Sequence, residues 1–477
     1  MNTVEDFIVK SNSTIKEALT VINKNSYGIC FVVLDKKLVG VVTDGDIRRA
    51  LIKSIKLDDC VDKAMNINFI SMHVDAPAKE IREKISNHIR VIPLVNSAGL
   101  IVDVSNIRKT HAIPLMEPYI SKKEKEYVNH CLDTGWISSQ GKFVHQFEQE
   151  FEKLHAGMFA VAVSNGTVAL QLAMLAMGIG KDDEVIVPDI TFAATINTII
   201  HCGATPVMCE VDLETWCIDP AEIKKLINSR TKAIMPVHLY GQAAQMDEII
   251  KLSNEHNLYV VEDCAEAIGT KWKNENVGTF GDASTFSFFG NKTITTGEGG
   301  MVLFKSKKTS ERARILRDHG MNPTKKYWHD VIGYNFRLTN VQAAIGVAQI
   351  ERLDEIVSKK INIGESYSDL LKDHKIAEQT PKRHKDIQNS YWIFSFLLNK
   401  KYNREKVMKE LLELGVETRP VFYPLHTMPP YKHFMKSSSL ENSINISKQG
   451  LSLPSSPSLS DFNIKYIIYC LDKISMN

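Results

Sequence analysis

Lys292 has the surroundings least typical of a lysine in this sequence. Most lysines lie on charged, solvated surfaces, whereas Lys292 follows an apolar strand and precedes a turn rich in small residues, within the run 287–300. Removal from water disfavours the ammonium form, so a lysine in such a place can lose its proton and attack a carbonyl to form a Schiff base. The position therefore indicates a nucleophilic amine.

A carboxylate, Asp263, ends the predicted strand 258–263, where the tip of a strand would open into a site. The ordinary role of such a residue is to cap a helix. Beside Lys292 it suggests more, because an amine for an imine bond and an acid for a pyridinium nitrogen are the two groups that pyridoxal 5'-phosphate (PLP) requires of a protein. The acid keeps the nitrogen protonated, so the ring can accept electrons from a carbanion. PLP is therefore the expected cofactor.

Three small residues could bind the phosphate of this cofactor. Gly166 and Thr167 follow a strand and begin a helix, where free backbone amides attract anions. Ser287 lies five residues before Lys292. Capping is the commoner role of such residues and stays open as an alternative.

Two further residues could contact the cofactor ring. Phe192 follows the strand 185–188 and could stack on the ring, although an aromatic at such a junction is more often a core residue. Glu266 is predicted to lie one helical step beyond Asp263, within reach of the ring hydroxyl. A solvated helix carboxylate is the competing interpretation.

The composition is that of an ordinary globular protein. The chain has 477 residues, of which 44% are hydrophobic and 24% charged, and a formal net charge of +2. That balance gives no field to recruit nucleic acid or an anionic membrane. We expect no signal peptide and no membrane span. The eight cysteines lack Cys-x-x-Cys spacing, so we expect no metal site either. Reduced thiols and a cytoplasmic location are the simplest interpretation.

The first 112 residues contain two half-repeats. Each is predicted to run helix, strand, strand: helix 14–24 with strands 29–34 and 38–42, then helix 77–85 with strands 91–95 and 100–102. An internal duplication of this kind predicts two units that share one core.

These half-repeats resemble a tandem pair of CBS domains, which bind adenine nucleotides in many proteins. In that family a Gly-x-x-Thr-x-x-Asp pattern holds the ribose and phosphates, and here it is Gly40, Thr43 and Asp46. The second half departs from the pattern at Leu100, Asp103 and Asn106. One nucleotide site at most is expected, and a purely structural pair is an equal alternative.

The rest of the chain alternates short apolar strands with helices. This order predicts a mostly parallel sheet covered on both faces. We expect a large domain over 113–355, including a possible strand at 330–333, and a smaller C-terminal domain over 356–477.

Several segments carry a resemblance to a known family: 136–139, 164–170, 237–241, 262–267, 278–282, 286–302, 327–335 and 417–429. From residue 114 to its end the chain resembles the DegT-type sugar aminotransferases, PLP enzymes of fold type I. The resemblance implies a large three-layer α/β/α domain and a smaller C-terminal α/β domain. Typical members lack the N-terminal extension.

The resemblance also assigns roles. It implies that Lys292 forms the Schiff base and that Asp263 pairs with the pyridinium. It assigns the cofactor phosphate to Gly166, Thr167 and Ser287, and ring stacking to Phe192. An asparagine matching Asn335 reaches the cofactor phosphate of a partner subunit in this family, so a homodimer is expected. Relatives with histidine in place of Lys292 are dehydratases, so this chain is expected to transaminate.

The implied reaction takes an amino group from glutamate and gives it to a nucleotide-linked 4-keto-6-deoxy sugar. Five residues are candidates to hold the sugar or its diphosphate, although a lone aromatic or histidine is more often a packed structural residue: Trp136, His238, Tyr334, Arg419 and His426. The favoured reaction converts GDP-4-keto-6-deoxymannose to GDP-perosamine for a surface polysaccharide. A UDP- or dTDP-linked sugar is one alternative. A nucleotide-sensing regulator with an inert aminotransferase body is another.

Overall fold

The computed structural model of the protein describes residues 4–25, 27–76, 80, 81, 84, 89, 91–106 and 113–476. The chain forms two units: Met1–Ile113 with Lys409–Val416, and Pro114–Met408 with Glu417–Asn477. In the described ranges, every helix is too short or too polar to cross a membrane.

The N-terminal unit shows the duplication in its strand pairing. Its elements in chain order are β1 (Ile8–Lys10), α1 (Ile15–Asn25), β2 (Ile29–Leu34), β3 (Lys37–Thr43), α2 (Asp44–Ile52), β4 (Met72–His73), β5 (Val91–Val95) and β6 (Ile101–Asn106). β1 pairs parallel with β2 and β2 antiparallel with β3, and β4, β5 and β6 repeat the same pattern. The helix predicted at 77–85 lies largely outside the described residues.

One apolar cluster joins the two half-repeats. Phe31 and Val41 of the first half pack in one core with Val91 and Val104 of the second. This cluster confirms the expectation that the two units share one core.

The second unit holds the remaining strands and helices. Its strands are β7 (Phe159–Val163), β8 (Glu184–Pro188), β9 (Thr205–Cys209), β10 (Thr231–Ile234), β11 (Tyr259–Asp263), β12 (Lys271–Trp272), β13 (Glu275–Asn276), β14 (Ala283–Ser287), β15 (Gly300–Phe304), β16 (Ala377–Gln379), β17 (Ile387–Gln388), β18 (Phe394–Leu398), β19 (Arg419–Pro420) and β20 (Gly450–Leu453). Its helices are α3 (Lys122–Thr134), α4 (Lys142–Leu154), α5 (Gly166–Met177), α6 (Ala193–His201), α7 (Pro220–Leu226), α8 (Met246–His256), α9 (Lys307–Arg317), α10 (Asn340–Ile350), α11 (Leu353–Leu371), α12 (Arg404–Glu413), α13 (Glu441–Gln449) and α14 (Asp461–Met476). The part of α12 from Lys409 onward belongs to the first unit.

A seven-stranded sheet organises this unit, with the order β7-β15-β14-β11-β10-β8-β9 among the described residues. All neighbours pair in parallel except β15, which is antiparallel to both β14 and β7. Two of the inner strands, β8 and β15, are buried along their whole length. Strands of this kind appear in a sequence as continuous apolar runs, and these runs are the pattern that predicted the sheet.

Two expectations about the second unit need comment. The possible strand at 330–333 is wrong: the Asp330 amide donates to the Gly320 carbonyl and the Tyr334 amide to the Leu316 carbonyl, so this segment belongs to a loop. The boundary at 355/356 stays a prediction, and α11 runs across it. A second sheet, with the order β16-β18-β20-β19, lies in the C-terminal part.

A lysine is buried in the middle of α11. Lys360 is 1% exposed, its ammonium donates to the Ser455 carbonyl at 2.7 Å, and its Nζ lies 3.6 Å from the sulfur of Met116. Burial lowers the pKa of Lys360 to about 7. Folding therefore favours its neutral form, because a charge without a carboxylate partner is costly in an apolar setting.

Lys360→Met is expected to raise the free energy of unfolding at pH 7 by a few kcal/mol. The pKa is lower in the folded than in the unfolded chain, so the unfolded state binds more protons between these values. The cost of burying the charged lysine is therefore full below pH 7. It disappears as the pH rises towards the pKa of the lysine in the unfolded chain. Urea unfolding at pH 7 and pH 10 should show a large difference between variant and wild type only at pH 7.

The neighbouring residue supplies the control. Lys359 is half-exposed and pairs with Glu355 at 2.8 Å. Lys359→Met is expected to change stability by less than about 1 kcal/mol at either pH. An equal effect of the two substitutions would show that burial does not set the cost of Lys360.

Candidate active site

The candidate site lies at the carboxyl ends of the parallel strands, where sheets of this kind open a crevice. Asp263 is the last residue of β11, and Phe192 follows β8 and caps α6. Lys292 lies in the turn between β14 and β15, and its amide donates to the Phe289 carbonyl at 2.9 Å. The strand ends thus bring together residues that are up to 100 positions apart in the chain.

The amine of Lys292 is buried and has two close neighbours. Its Nζ lies 3.8 Å from Glu266 Oε1 and 3.8 Å from the centre of the Trp392 ring. Burial lowers the pKa of Lys292, while the charges of Glu266 and Asp263 oppose that shift. Burial therefore favours the neutral, nucleophilic amine more than water does.

Asp263 is buried and held by two donors. Thr195 Oγ1 donates to its Oδ2 at 2.9 Å, and the Ala265 amide donates to its Oδ1 at 3.1 Å. Burial raises the pKa of Asp263, and these two donors together with Lys292 counter that shift. Donors to both oxygens favour the charged carboxylate, which is the form that pairs with a protonated ring nitrogen.

Glu266 lies in a turn after β11, which corrects the expectation of a helical step. Its Oε2 accepts from the Tyr240 amide at 2.9 Å, and its Oε1 faces Lys292. Burial raises the pKa of Glu266 to about 7, with Lys292 acting in the opposite direction. The solvated alternative is wrong, since Glu266 is 5% exposed.

The expected phosphate residues form a narrow cradle at the start of α5. A Cβ atom at Gly166 would lie 2.7 Å from Ser287 Cβ, so only glycine leaves room between the helix and this serine. Asn165 caps α5 through the Val168 amide, and Thr167 is exposed beside it. A helix N-terminus flanked by hydroxyls is suited to a phosphate, so the residues present fit PLP at both ends.

The other two cofactor candidates lie at the rim. Phe192 is 59% exposed, with its ring 6.0 Å from that of Phe422. Asn335 is exposed and its Oδ1 accepts from Arg337 Nε at 3.0 Å. In the described part, no hydrogen bond or ion pair joins either residue to Lys292 or Asp263.

His238 is fully buried, which favours the alternative of a packed structural residue, and its contact with the substrate stays a prediction. Its Nε2 lies 3.0 Å from Glu262 Oε2, and its Nδ1 accepts from the Ala244 amide at 3.2 Å. Its backbone amide donates to the Asp263 carbonyl at 3.1 Å. His238 therefore contacts β11, the strand that carries Asp263, through both its side chain and its backbone.

The remaining substrate candidates are more open. Trp136 is 58% exposed, Arg419 is exposed and lies 3.3 Å from Glu417, and Tyr334 stacks on Phe336 with centroids 4.6 Å apart. His426 Nδ1 lies 2.7 Å from Asp189 Oδ2, directly after β8, and its side chain is largely buried. Of this group, the contacts place His426 closest to the strand ends that carry the site.

Sequence reasoning missed three residues that shape the site. The Trp392 ring supports Lys292 and its indole nitrogen donates to the Asn291 carbonyl at 2.7 Å. Tyr240 stacks between Trp392 and Phe422, with centroids 6.0 and 5.4 Å apart. Thr195 binds Asp263. The left-handed backbone of Tyr240 (φ 53°) leaves no trace in the sequence. Trp392 lies two residues before β18 in an apolar run, so the sequence alone suggests a core residue.

Comparison with known proteins decides the family. Residues 118–472 match the sequence profile of the DegT/DnrJ/EryC1/StrS aminotransferase family. The chain belongs to this family. Membership confirms the DegT-type resemblance, the aminotransferase activity, the fold class and the PLP cofactor expected from the sequence. Residues 1–53 match the CBS domain, which confirms a CBS domain at the N-terminus, whereas the second domain of the pair stays a prediction.

Curated relatives are similar over nearly their whole length. The chain is 47% identical over 355 residues to the GDP-perosamine synthase of Escherichia coli O157:H7, covering 74% of this chain and 96% of that protein. It is 46% identical over 361 residues to the GDP-perosamine synthase of Vibrio cholerae, covering 75% and 98%. The solved structure of Helicobacter pylori PseC, an aminotransferase involved in the biosynthesis of pseudoaminic acid, is similar with a TM-score of 0.73 and 26% identity, covering 76% and 99%.

Proposed function

We propose that this aminotransferase converts GDP-4-keto-6-deoxymannose to GDP-perosamine. The observation that carries transamination is the buried Lys292 amine between Glu266 and Trp392, close to the charge of Asp263. The choice of sugar is supported by relatives named GDP-perosamine synthase, of which the chain covers 96% and 98%.

The chain's own residues have defined tasks in this proposal. PLP, when bound, supplies an electrophilic aldehyde carbon and a ring that withdraws electrons from the substrate. Lys292 attaches the cofactor and, once released, its Nζ takes a proton from the substrate carbon and returns it later in the reaction. Asp263 holds the proton on the ring nitrogen. Glu266, with its raised pKa, lies beside the amine and can share its proton.

Glutamate, a second subunit and a cytoplasmic location complete the proposal. Glutamate is the amino donor that the family resemblance suggests. A homodimer is supported by the exposed position of Asn335, where its side chain is available to another subunit. A nucleotide sugar made in the cytoplasm would serve lipopolysaccharide O-antigen synthesis.

The CBS pattern has an internal role that supports the structural alternative. Thr43 caps α2 by accepting from the Asp46 amide at 3.2 Å, and Asp46 Oδ2 accepts from the Thr43 amide at 2.9 Å. Asp46 Oδ1 lies 2.5 Å from Arg49, and a Cβ atom at Gly40 would lie 2.7 Å from the Met65 sulfur. A nucleotide ribose would have to displace these contacts, so the proposed nucleotide site at this pair requires rearrangement of Asp46.

An assay of purified holoenzyme with glutamate against GDP-, UDP- and dTDP-linked 4-keto-6-deoxy sugars tests the proposal. The GDP-linked sugar is expected to have the highest kcat/KM, by about tenfold or more, because a site built for one base leaves polar groups unpaired with another. Preference for another nucleotide would refute the GDP assignment while keeping transamination. No amine transfer to any sugar, with a rate response to AMP or ATP in some other reaction, would favour the regulator alternative.

A further inference from the structure

A basic cleft lies in the C-terminal part of the second unit. We define it by three segments: 400–405 after β18, 423–427 after β19, and 444–449 of α13. Its volume is about 630 Å³, within the range of sites that take a nucleotide-sized ligand. We propose that this basic cleft binds the nucleoside diphosphate of the sugar substrate, an inference that rests on the proposed function.

The positive charge of the cleft favours the binding of an anion. Lys400, Lys401 and Lys448 line it and are exposed, and none of them has an ion pair with a carboxylate in the described part. Glu405 is the carboxylate of the described lining, and it already lies 2.9 Å from Arg404. Three unpaired ammonium groups around one cavity match the two charges of a pyrophosphate diester, which lysines bind as point charges.

The wall of the cleft also offers a surface for a base. Tyr423 is 51% exposed, and the Arg404 guanidinium lies 5.7 Å from its ring centre. Stacking of a base on an aromatic ring is favourable for any nucleotide. Gln449 also lines the cleft, and its Oε1 is buried without a hydrogen-bond partner in the described part. The Gln449 Oε1 atom thus lacks an N–H donor, and guanine and uracil both carry such a donor.

One loop connects the cleft to the reaction centre. Tyr423, Pro424 and Thr427 line the cleft, while His426 between them binds Asp189 at the end of β8. Phe422, just before Tyr423, stacks on Tyr240, which stacks in turn on the Trp392 ring beneath Lys292. A ligand with its sugar at Lys292 and its nucleotide in the cleft would therefore lie along this loop.

The test compares two triple variants of the holoenzyme by calorimetric titration with GDP. Lys400→Ala/Lys401→Ala/Lys448→Ala is expected to raise the Kd for GDP by about tenfold or more. The matched control, Lys372→Ala/Lys375→Ala/Lys385→Ala, removes the same charge from exposed lysines outside the cleft and should leave the Kd unchanged. The comparison also excludes nucleotide bound at the N-terminal unit, which both variants retain.

Two further measurements complete the test. In the cleft variant, the KM for the nucleotide sugar should rise with little change in kcat, and the half-reaction with glutamate alone should be unaffected. Tyr423→Leu should weaken binding of GDP but not of inorganic pyrophosphate. An equal effect on both probes would overturn the stacking role.

The outcomes separate this inference from the proposed function. Equal Kd values for GDP in the two triple variants, or no binding of GDP by the wild type, would overturn the cleft proposal even in an active perosamine-forming enzyme. Lysine-dependent binding of GDP in a protein that does not aminate the GDP-linked sugar would support the cleft and refute the proposed function.

Discussion

Lys292→Ala is expected to lose transamination by about 10⁴-fold or more, because one substitution removes both the covalent attachment point and the proton carrier. The neighbouring groups cannot replace it, since the carboxylate of Glu266 cannot form a Schiff base and the Trp392 ring carries no proton acceptor. Purified Lys292→Ala should also lack the visible absorption band of the wild-type holoenzyme. The measurements are the glutamate half-reaction and the absorption spectrum of the two proteins.

Two variants make this result specific. Lys292→Arg keeps the positive charge but cannot supply a neutral amine, because arginine stays protonated, so it should be as inactive as Lys292→Ala. Lys308→Ala alters an exposed lysine of α9 and should keep full activity. Activity in Lys292→Arg would mean that charge, and not the amine, is what the reaction requires.

Asp263→Asn is expected to lower kcat/KM by about 10²–10³-fold, comparable to the loss of one preorganised electrostatic contact in a buried site. The amide keeps the shape of the side chain but loses the charge that holds a proton on the ring nitrogen. Because burial raises the pKa of Asp263, the charge is costly in the folded protein. The variant without cofactor should therefore melt no lower than the wild type, whereas the gain in Tm on adding PLP should be smaller.

Asp282→Asn is the matched control for this substitution. Asp282 is exposed and its Oδ2 accepts from the Val260 amide at 2.9 Å, at the opposite end of the same strand. The control should retain the kcat/KM of the wild type. Wild-type activity in Asp263→Asn would show that Asp263 is not needed as the partner of the pyridinium nitrogen. An equal loss of activity in both variants would indicate a general effect on folding.

The residues at the strand ends could be predicted because their signals are local. Lys292 and Asp263 each follow an apolar run, and the carboxyl ends of parallel strands meet at one edge of a sheet. Gly166 could be found for a similar reason, since it lies where a strand gives way to a helix.

Contacts between distant segments could not be predicted in this way. Trp392 is 100 positions from Lys292, and its apolar neighbours indicate only a buried strand. His238 was a candidate substrate ligand beside the alternative of a packed residue, and a lone histidine in the sequence carries no sign of its burial. Its partner Glu262 precedes Asp263 on β11, and this register becomes visible only when the Val237 and Asp263 backbones pair.

The ring stack of Trp392, Tyr240 and Phe422 limits how this enzyme can be re-engineered. A chimera that borrows residues 419–429 from a relative with a different acceptor sugar would replace one end of the stack on which the reactive amine rests. The exchange would then change both the choice of acceptor sugar and the basicity of the Lys292 amine. Grafts that exchange all three rings as a set should preserve turnover better than grafts of the loop alone.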